Sequence, residues 1–205
     1  MGYNTVGGIA GLNEAGWISS SDKQYAPSVT SCINYGTVTY NSALSGNELG
    51  FYIGGIVGYA EAYSKITQCK VEENSDGSNL TVTGRKYVGG IVGYLTINAK
   101  VEGSSILDNT AVTGTQYVGG IAGMTESYTY VTSCSTGSST KVTGENYIGG
   151  IVGYSYAQIK SCINGSTIVK LMEDSICGSI AGYVYSTSYI VDCTGADPQW
   201  GAAGN

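Results

Sequence analysis

Hydrophobic residues along this chain come in short, mostly β-branched blocks separated by Gly, Asn, Asp or Ser. Such blocks between turn formers predict strands. No window carries the three-and-four apolar spacing of a helix over ten residues. One block dominates: aromatic, β-branched, Gly-Gly, Ile, Val or Ala, Gly, and usually Tyr. It reads Val6-Gly7-Gly8-Ile9-Ala10-Gly11-Leu12 near the start, then Tyr52-Ile53-Gly54-Gly55-Ile56-Val57-Gly58-Tyr59 and Tyr87-Val88-Gly89-Gly90-Ile91-Val92-Gly93-Tyr94. It returns as Tyr117-Val118-Gly119-Gly120-Ile121-Ala122-Gly123-Met124 and Tyr147-Ile148-Gly149-Gly150-Ile151-Val152-Gly153-Tyr154, with a degenerate copy from Ile176 to Tyr183.

The residues before the glycines, from Val6 to Cys177, are separated by 47, 35, 30, 30 and 29 positions. Two further blocks keep step with them. Val82-Thr83-Gly84, Val112-Thr113-Gly114 and Val142-Thr143-Gly144 precede a glycine block. A hydrophobic-x-x-Cys block follows one, ending at Cys32, Cys69, Cys134, Cys162 and Cys193, with Ser104 in the cysteine's place in the third unit. Synchronised blocks at a fixed period are the mark of stacked repeats. The expectation is an all-β fold, a β-solenoid resembling a parallel β-helix. It has about six repeats of roughly 30 residues and three short strands per repeat. The repeats start near residues 3, 52, 87, 117, 147 and 176 and form a single repeat domain over 1–205. Equivalent residues then stack: an isoleucine ladder from Ile9 to Ile180, two tyrosine ladders, and a cysteine column of buried thiols. The flanking glycines serve either a positive φ or a close approach of another backbone.

Composition narrows the chemistry. Histidine is absent, so Ser-His-Asp and Cys-His units and His-ligated metals are excluded. Nine Lys and Arg are scattered singly except at Arg85-Lys86, and the net charge is −6. That balance argues against nucleic acid and anionic lipid as partners. No apolar stretch is long enough to insert into a membrane. Met1-Gly2-Tyr3 already lies in a repeat, so the chain reads as part of a longer exported protein with its signal upstream.

The Gly-Gly-Ile-Val-Gly block with its downstream hydrophobic-x-x-Cys resembles the GLUG repeat of bacterial surface proteins. Those proteins are adhesin-like or carry the repeat beside immunoglobulin A peptidase domains. Here Ile stands where that family often has Leu. The resemblance implies a secreted or surface-attached solenoid acting as a non-catalytic, adhesin-like stalk or binding segment, without a cofactor.

The rival is a carbohydrate-active β-helix enzyme, a polysaccharide lyase or glycosidase. It would need two carboxylates facing across a groove, yet none of the acidic residues recurs in register. A calcium loop over Glu72-Glu73-Asn74-Ser75-Asp76-Gly77 lacks the alternating Asp-x-Asp pattern. An ice-binding face on Thr83, Thr113 and Thr143 lacks its second file, since the partner positions are Thr81, Ala111 and Lys141. Tyrosine, 18 residues strong, offers a recognition surface instead. The candidate ligand-binding residues are Trp17, Tyr63, Tyr128, Tyr130 and Tyr156, toward a host glycan or protein. Insertions at Glu14–Pro27 and Tyr40–Gly50 are expected on that same binding face. Open strand edges at the ends predict end-to-end self-association.

Overall fold

A computed structural model describes residues 5–14, 26–40, 50–73 and 77–195. All of its regular elements are strands, and the strands form five parallel sheets. Four sheets have six strands and the fifth has five, so six coils stack along one axis. The third coil shows the plan, with strands Lys86–Gly89, Val92–Leu95, Lys100–Glu102, Ser105–Ile106 and Thr110–Thr113. Each pairs in register with its counterparts one repeat away: Val88 with Ile53 and Val118, Val101 with Ile66 and Val131, Val112 with Val82 and Val142.

Five coils therefore carry five strands each, and the last described coil four, where the sequence predicts three per repeat. The glycine block breaks in two at Gly90-Ile91 and its equivalents. Pairing crosses that corner through Ile91 N–H to Ile121 O at 3.0 Å and Ile121 N–H to Ile151 O at 2.9 Å. The hydrophobic-x-x-Cys block also breaks, because the residue before the cysteine position has left-handed backbone in every coil. Those residues are Ser31, Gln68, Gly103, Ser133, Ser161 and Asp192, with φ between 53° and 60°.

The structure decides between the two readings of the glycine pair. No glycine of the pairs has a positive φ. A Cβ on Gly120 would instead overlap the carbonyl oxygen of Gly150 in the next coil and sit 2.7 Å from Thr136 Cγ2. The left-handed backbone falls two residues before each pair, on Tyr52, Tyr87, Tyr117 and Tyr147, at φ 54° to 57°. These tyrosines interrupt the first-sheet pairing and turn their rings outward into a stack, where ring–ring contact offsets the backbone strain.

Inside, like residues lie on like residues. Ile56, Ile91, Ile121 and Ile151 are fully buried, as are Ile66, Val101, Val131 and Ile159. The ladders open only at the ends: Ile9 is 47% exposed and Ile190 39%. Cys69, Cys134 and Cys162 fill the inner side of one corner as free thiols, with Cys32 and Cys193 part-exposed at the outer coils. Each of the five donates to the carbonyl two residues earlier, at 3.3–3.4 Å. Ser104 fits the same column by accepting the Cys69 N–H at 3.1 Å and donating to Glu102 O at 3.3 Å. Burial pushes the Cys69 thiol up; a hydrogen bond with the Cys162 thiol, together with burial, holds Cys134 well above its ordinary range.

Candidate aromatic binding corner

The second and third sheets meet at a corner made by short loops, residues 61–64, 96–99 and 126–129 in successive coils. In the first two, Ser64 N–H bonds Glu61 O at 3.0 Å and Ala99 N–H bonds Thr96 O at 3.1 Å; in the third, Thr129 Oγ1 bonds Glu126 O at 2.6 Å. The third residue of each loop, Tyr63, Asn98 or Tyr128, has φ between 58° and 64°. Turns with a left-handed third residue favour Gly or Asn there, because a larger side chain strains the backbone. Asn98 follows that rule. Tyr63 and Tyr128 do not, and the two residues are 40% and 67% exposed.

Tyr130, on the third-sheet strand that leaves this corner, is exposed as well. Tyr156 forms the corner one coil further on and leans against Tyr185 with centroids 4.6 Å apart. The structure thus brings four of the five sequence-predicted site residues, Tyr63, Tyr128, Tyr130 and Tyr156, to one edge of the rod. Trp17 lies outside the described residues, as do Asn74, Ser75 and Asp76 of the acidic loop. Its insertion leaves the second-sheet strand Ala10–Asn13 and rejoins the third-sheet strand Ser28–Thr30, so it opens from the same corner. The second insertion does not. It joins the fifth-sheet strand Val38–Thr39 to the first-sheet strand Phe51–Gly54, at a different corner. The expectation that both insertions share one face is corrected accordingly.

Beside the corner run the two tyrosine columns. Tyr52, Tyr87, Tyr117 and Tyr147 stack at 5.0–5.2 Å with nearly parallel rings. In the second column Tyr59 stacks on Tyr94 at 5.4 Å and Tyr154 on Tyr183 at 4.6 Å. Rings of one column meet those of the other edge-on, as Tyr87 meets Tyr94 at 5.2 Å and 90°. The second column misses one rung. Met124 pairs in register between Tyr94 and Tyr154. The missing ring leaves an open slot of about 320 Å³ lined by Tyr94, Ile97, Met124, Glu126, Ser127 and Tyr156. Glu126 is held fast in it: Tyr94 OH donates to its Oε1 at 2.8 Å and Ile97 N–H to its Oε2 at 3.0 Å. Burial first, and the bond to Glu126 second, raise the Tyr94 phenol above its ordinary range.

Sequence reasoning found both columns but took Met124 only as a variant of the block. The signal was there in the single non-aromatic residue between Tyr94 and Tyr154, with Glu126 two residues on.

Comparison with known proteins bears on this architecture. The GLUG-motif family model matches residues 50–75, four of the five strands of the second coil. No curated protein matches the chain by sequence. A crystal structure from Bacteroides ovatus, provisionally described as an immunoglobulin A1 protease, aligns with a TM-score of 0.57 at 21% identity. The alignment covers 70% of this chain and 46% of that one, so the chain spans less than half of that protein's length. At this identity the likeness concerns the fold. Residues 50–75 carry the GLUG motif, and in this chain that motif is one coil of a six-coil parallel β-solenoid.

Proposed function

We propose that the chain is a non-catalytic repeat segment of an exported, cell-surface protein, an adhesin-like rod that presents its tyrosine corner to a host glycan or protein. The observation carrying this reading is the exposed Tyr128 on left-handed backbone. Such a turn favours Gly or Asn there, and Asn98 supplies it one coil earlier; among the described residues the rings of Tyr63 and Tyr128 join no stack. Tyrosine at these points strains the backbone, whereas a recognition surface gains a rigid, amphipathic contact. The GLUG motif and the solenoid fold support the surface placement.

The described carboxylates best placed for chemistry serve the rod. Glu126 holds Tyr94 and Ile97, Asp108 takes Ser139 N–H at 2.7 Å, Glu73 takes Asn109 Nδ2 at 2.8 Å, and Glu102 pairs with Lys100 at 2.6 Å. This engagement favours the binding reading over a glycosidase.

The test is a combined array of host glycans and extracellular proteins, probed with the purified chain and with Tyr63→Ala, Tyr128→Ala and Trp17→Ala. Both corner tyrosines are exposed, and Ala at these φ values carries the same backbone strain as Tyr, so their replacement leaves the melting temperature nearly unchanged. Reproducible binding that weakens about tenfold on these substitutions is the expected outcome. Absence of binding to every spot would reduce the chain to a spacer.

A further inference from the structure

We infer that the slot left by the missing tyrosine rung binds an organic ammonium ion, with methylated ammonium preferred; this gives a chemistry to part of the corner described above and rests on its reading as a binding surface. In every other fully described pair of this column from Tyr59 to Tyr183, a ring lies on a ring. At Met124 a methionine stands in register between Tyr94 and Tyr154 instead of a third ring, and of these two tyrosines Tyr94 lines the slot. Strands one coil apart are about 4.8 Å apart, so the two rings stand about 10 Å apart across Met124. The face of an aromatic ring carries negative potential. Tyr156 adds a second aromatic wall and Glu126 a full negative charge, while no basic side chain lines the slot. Its contents must therefore be neutral or cationic, and charge complementarity selects the cation.

The protein already uses this attraction one column away. Lys86 Nζ lies 4.8 Å from the Tyr87 centroid and 5.4 Å from that of Tyr117, over the stacked phenols of the first sheet. Glu126 sharpens the preference further. Both its oxygens already hold a donor, from Tyr94 and Ile97, so it offers charge more than free hydrogen-bond directions. A ligand rich in N–H donors would find few acceptors, whereas methylated ammonium needs none. It presents a diffuse charge wrapped in methyl groups, which suits Met124, Ile97 and two phenol rings. A sugar ring would also meet the aromatic walls, but its hydroxyls need several partners that the slot supplies only through Glu126 and Ser127.

The chain has three methionines, so ¹³C-methyl methionine spectra report directly on Met124. Choline is titrated against the labelled chain, with Nα-acetyl-lysinamide as the N–H-bearing ammonium and methyl glycosides as the neutral arm. The expected result is a saturable, ring-current shift of the Met124 methyl with choline, at a dissociation constant on the order of a millimolar. Lysinamide binds more weakly, and added salt and Glu126→Gln each weaken choline about fivefold. Met124→Tyr supplies the missing rung. It raises the melting temperature and abolishes choline binding as read from ligand saturation transfer, so loss of binding cannot be blamed on misfolding. Several outcomes overturn the inference: no saturable choline effect at tens of millimolar, choline bound equally well by Met124→Tyr, or glycosides moving Met124 in choline's place. If the array shows Tyr128-dependent binding while choline does not bind, the slot inference falls and the corner remains. If choline binds while the array stays blank, the slot stands and the host-ligand reading falls.

Discussion

A glycine pair at a corner can be there for its backbone freedom or for its missing side chain, and the two roles predict different mutants. Gly120 belongs to the second kind. A methyl there meets the carbonyl oxygen of Gly150 and the Thr136 methyl, and both sit in an in-register stack that cannot shift one coil alone. Gly103 belongs to the first: its φ is +60°, and the nearest side-chain atom to an added Cβ is Gln68 Cγ at 3.8 Å. The same position holds Ser, Gln or Asp in the other coils at similar φ. We expect Gly120→Ala to destabilise by about 3 kcal/mol or more, as overpacking against fixed backbone does, and Gly103→Ala by only about 1 kcal/mol. Thermal unfolding of both variants checks the order; equal losses would remove the close-packing explanation. The sequence could name the glycine pair but not assign this role, because a Gly-Gly dipeptide is equally compatible with a turn. It also hid the left-handed tyrosines, since nothing in the string Lys86-Tyr87-Val88 marks Tyr87 as a residue with φ 57°.

At the scale of elements, the ladders were legible because in-register parallel stacking makes each position answer to the same neighbours, so residue type repeats with the coil. The strand count was not. Strands of two residues such as Ser105–Ile106 are too short to show alternation, and Val38–Thr39, the first coil's copy of the Val-Thr block, lacks the glycine that marks the others. The columns also set how the rod responds to alkali. Cys69 and Tyr94 have pKa values raised in the folded chain above ordinary values of 9.0 and 10.0. A raised acid stays neutral when folded, while the unfolded chain ionises first. The stability they contribute is thus complete below pH 9 and is lost as pH climbs past 9 and then 10. The Cys69 and Tyr94 contributions to the melting temperature should be level from neutral pH to about 9 and fall beyond it. Glu126→Gln removes the bond from Tyr94 to a carboxylate, the second cause of its shift, and should move the tyrosine part of that fall to lower pH. Spectrophotometric titration of the phenols checks this; a phenol titration identical in the wild-type and Glu126→Gln chains would contradict it.

Across the whole molecule, the same one-dimensional logic leaves two unfinished surfaces. Interior coils bury Ile159 and Ile151 completely, yet in the last coil Ile190 is 39% exposed, and in the first Ile9 is 47% exposed. The described last coil also presents the outer edges of Ala181–Val184 and Tyr189–Val191, whose only strand partners lie on the inner side. An uncovered coil offers parallel hydrogen bonding and an apolar cross-section together, and what fits both is another coil of the same shape. Head-to-tail contact between copies keeps the direction of the strands and continues every column, so it grows without closing. We expect the 205-residue chain to gain mass with concentration in light scattering. Ile190→Lys puts an inward-pointing charge in the terminal cross-section, a device that blocks edge pairing. It should return the chain to monomer while leaving the melting temperature of the interior coils nearly unchanged. A wild-type chain that stays monomeric at high concentration would overturn this expectation. Any multivalent display at a surface would then have to come from repetition along a longer polypeptide, with each copy carrying one tyrosine corner.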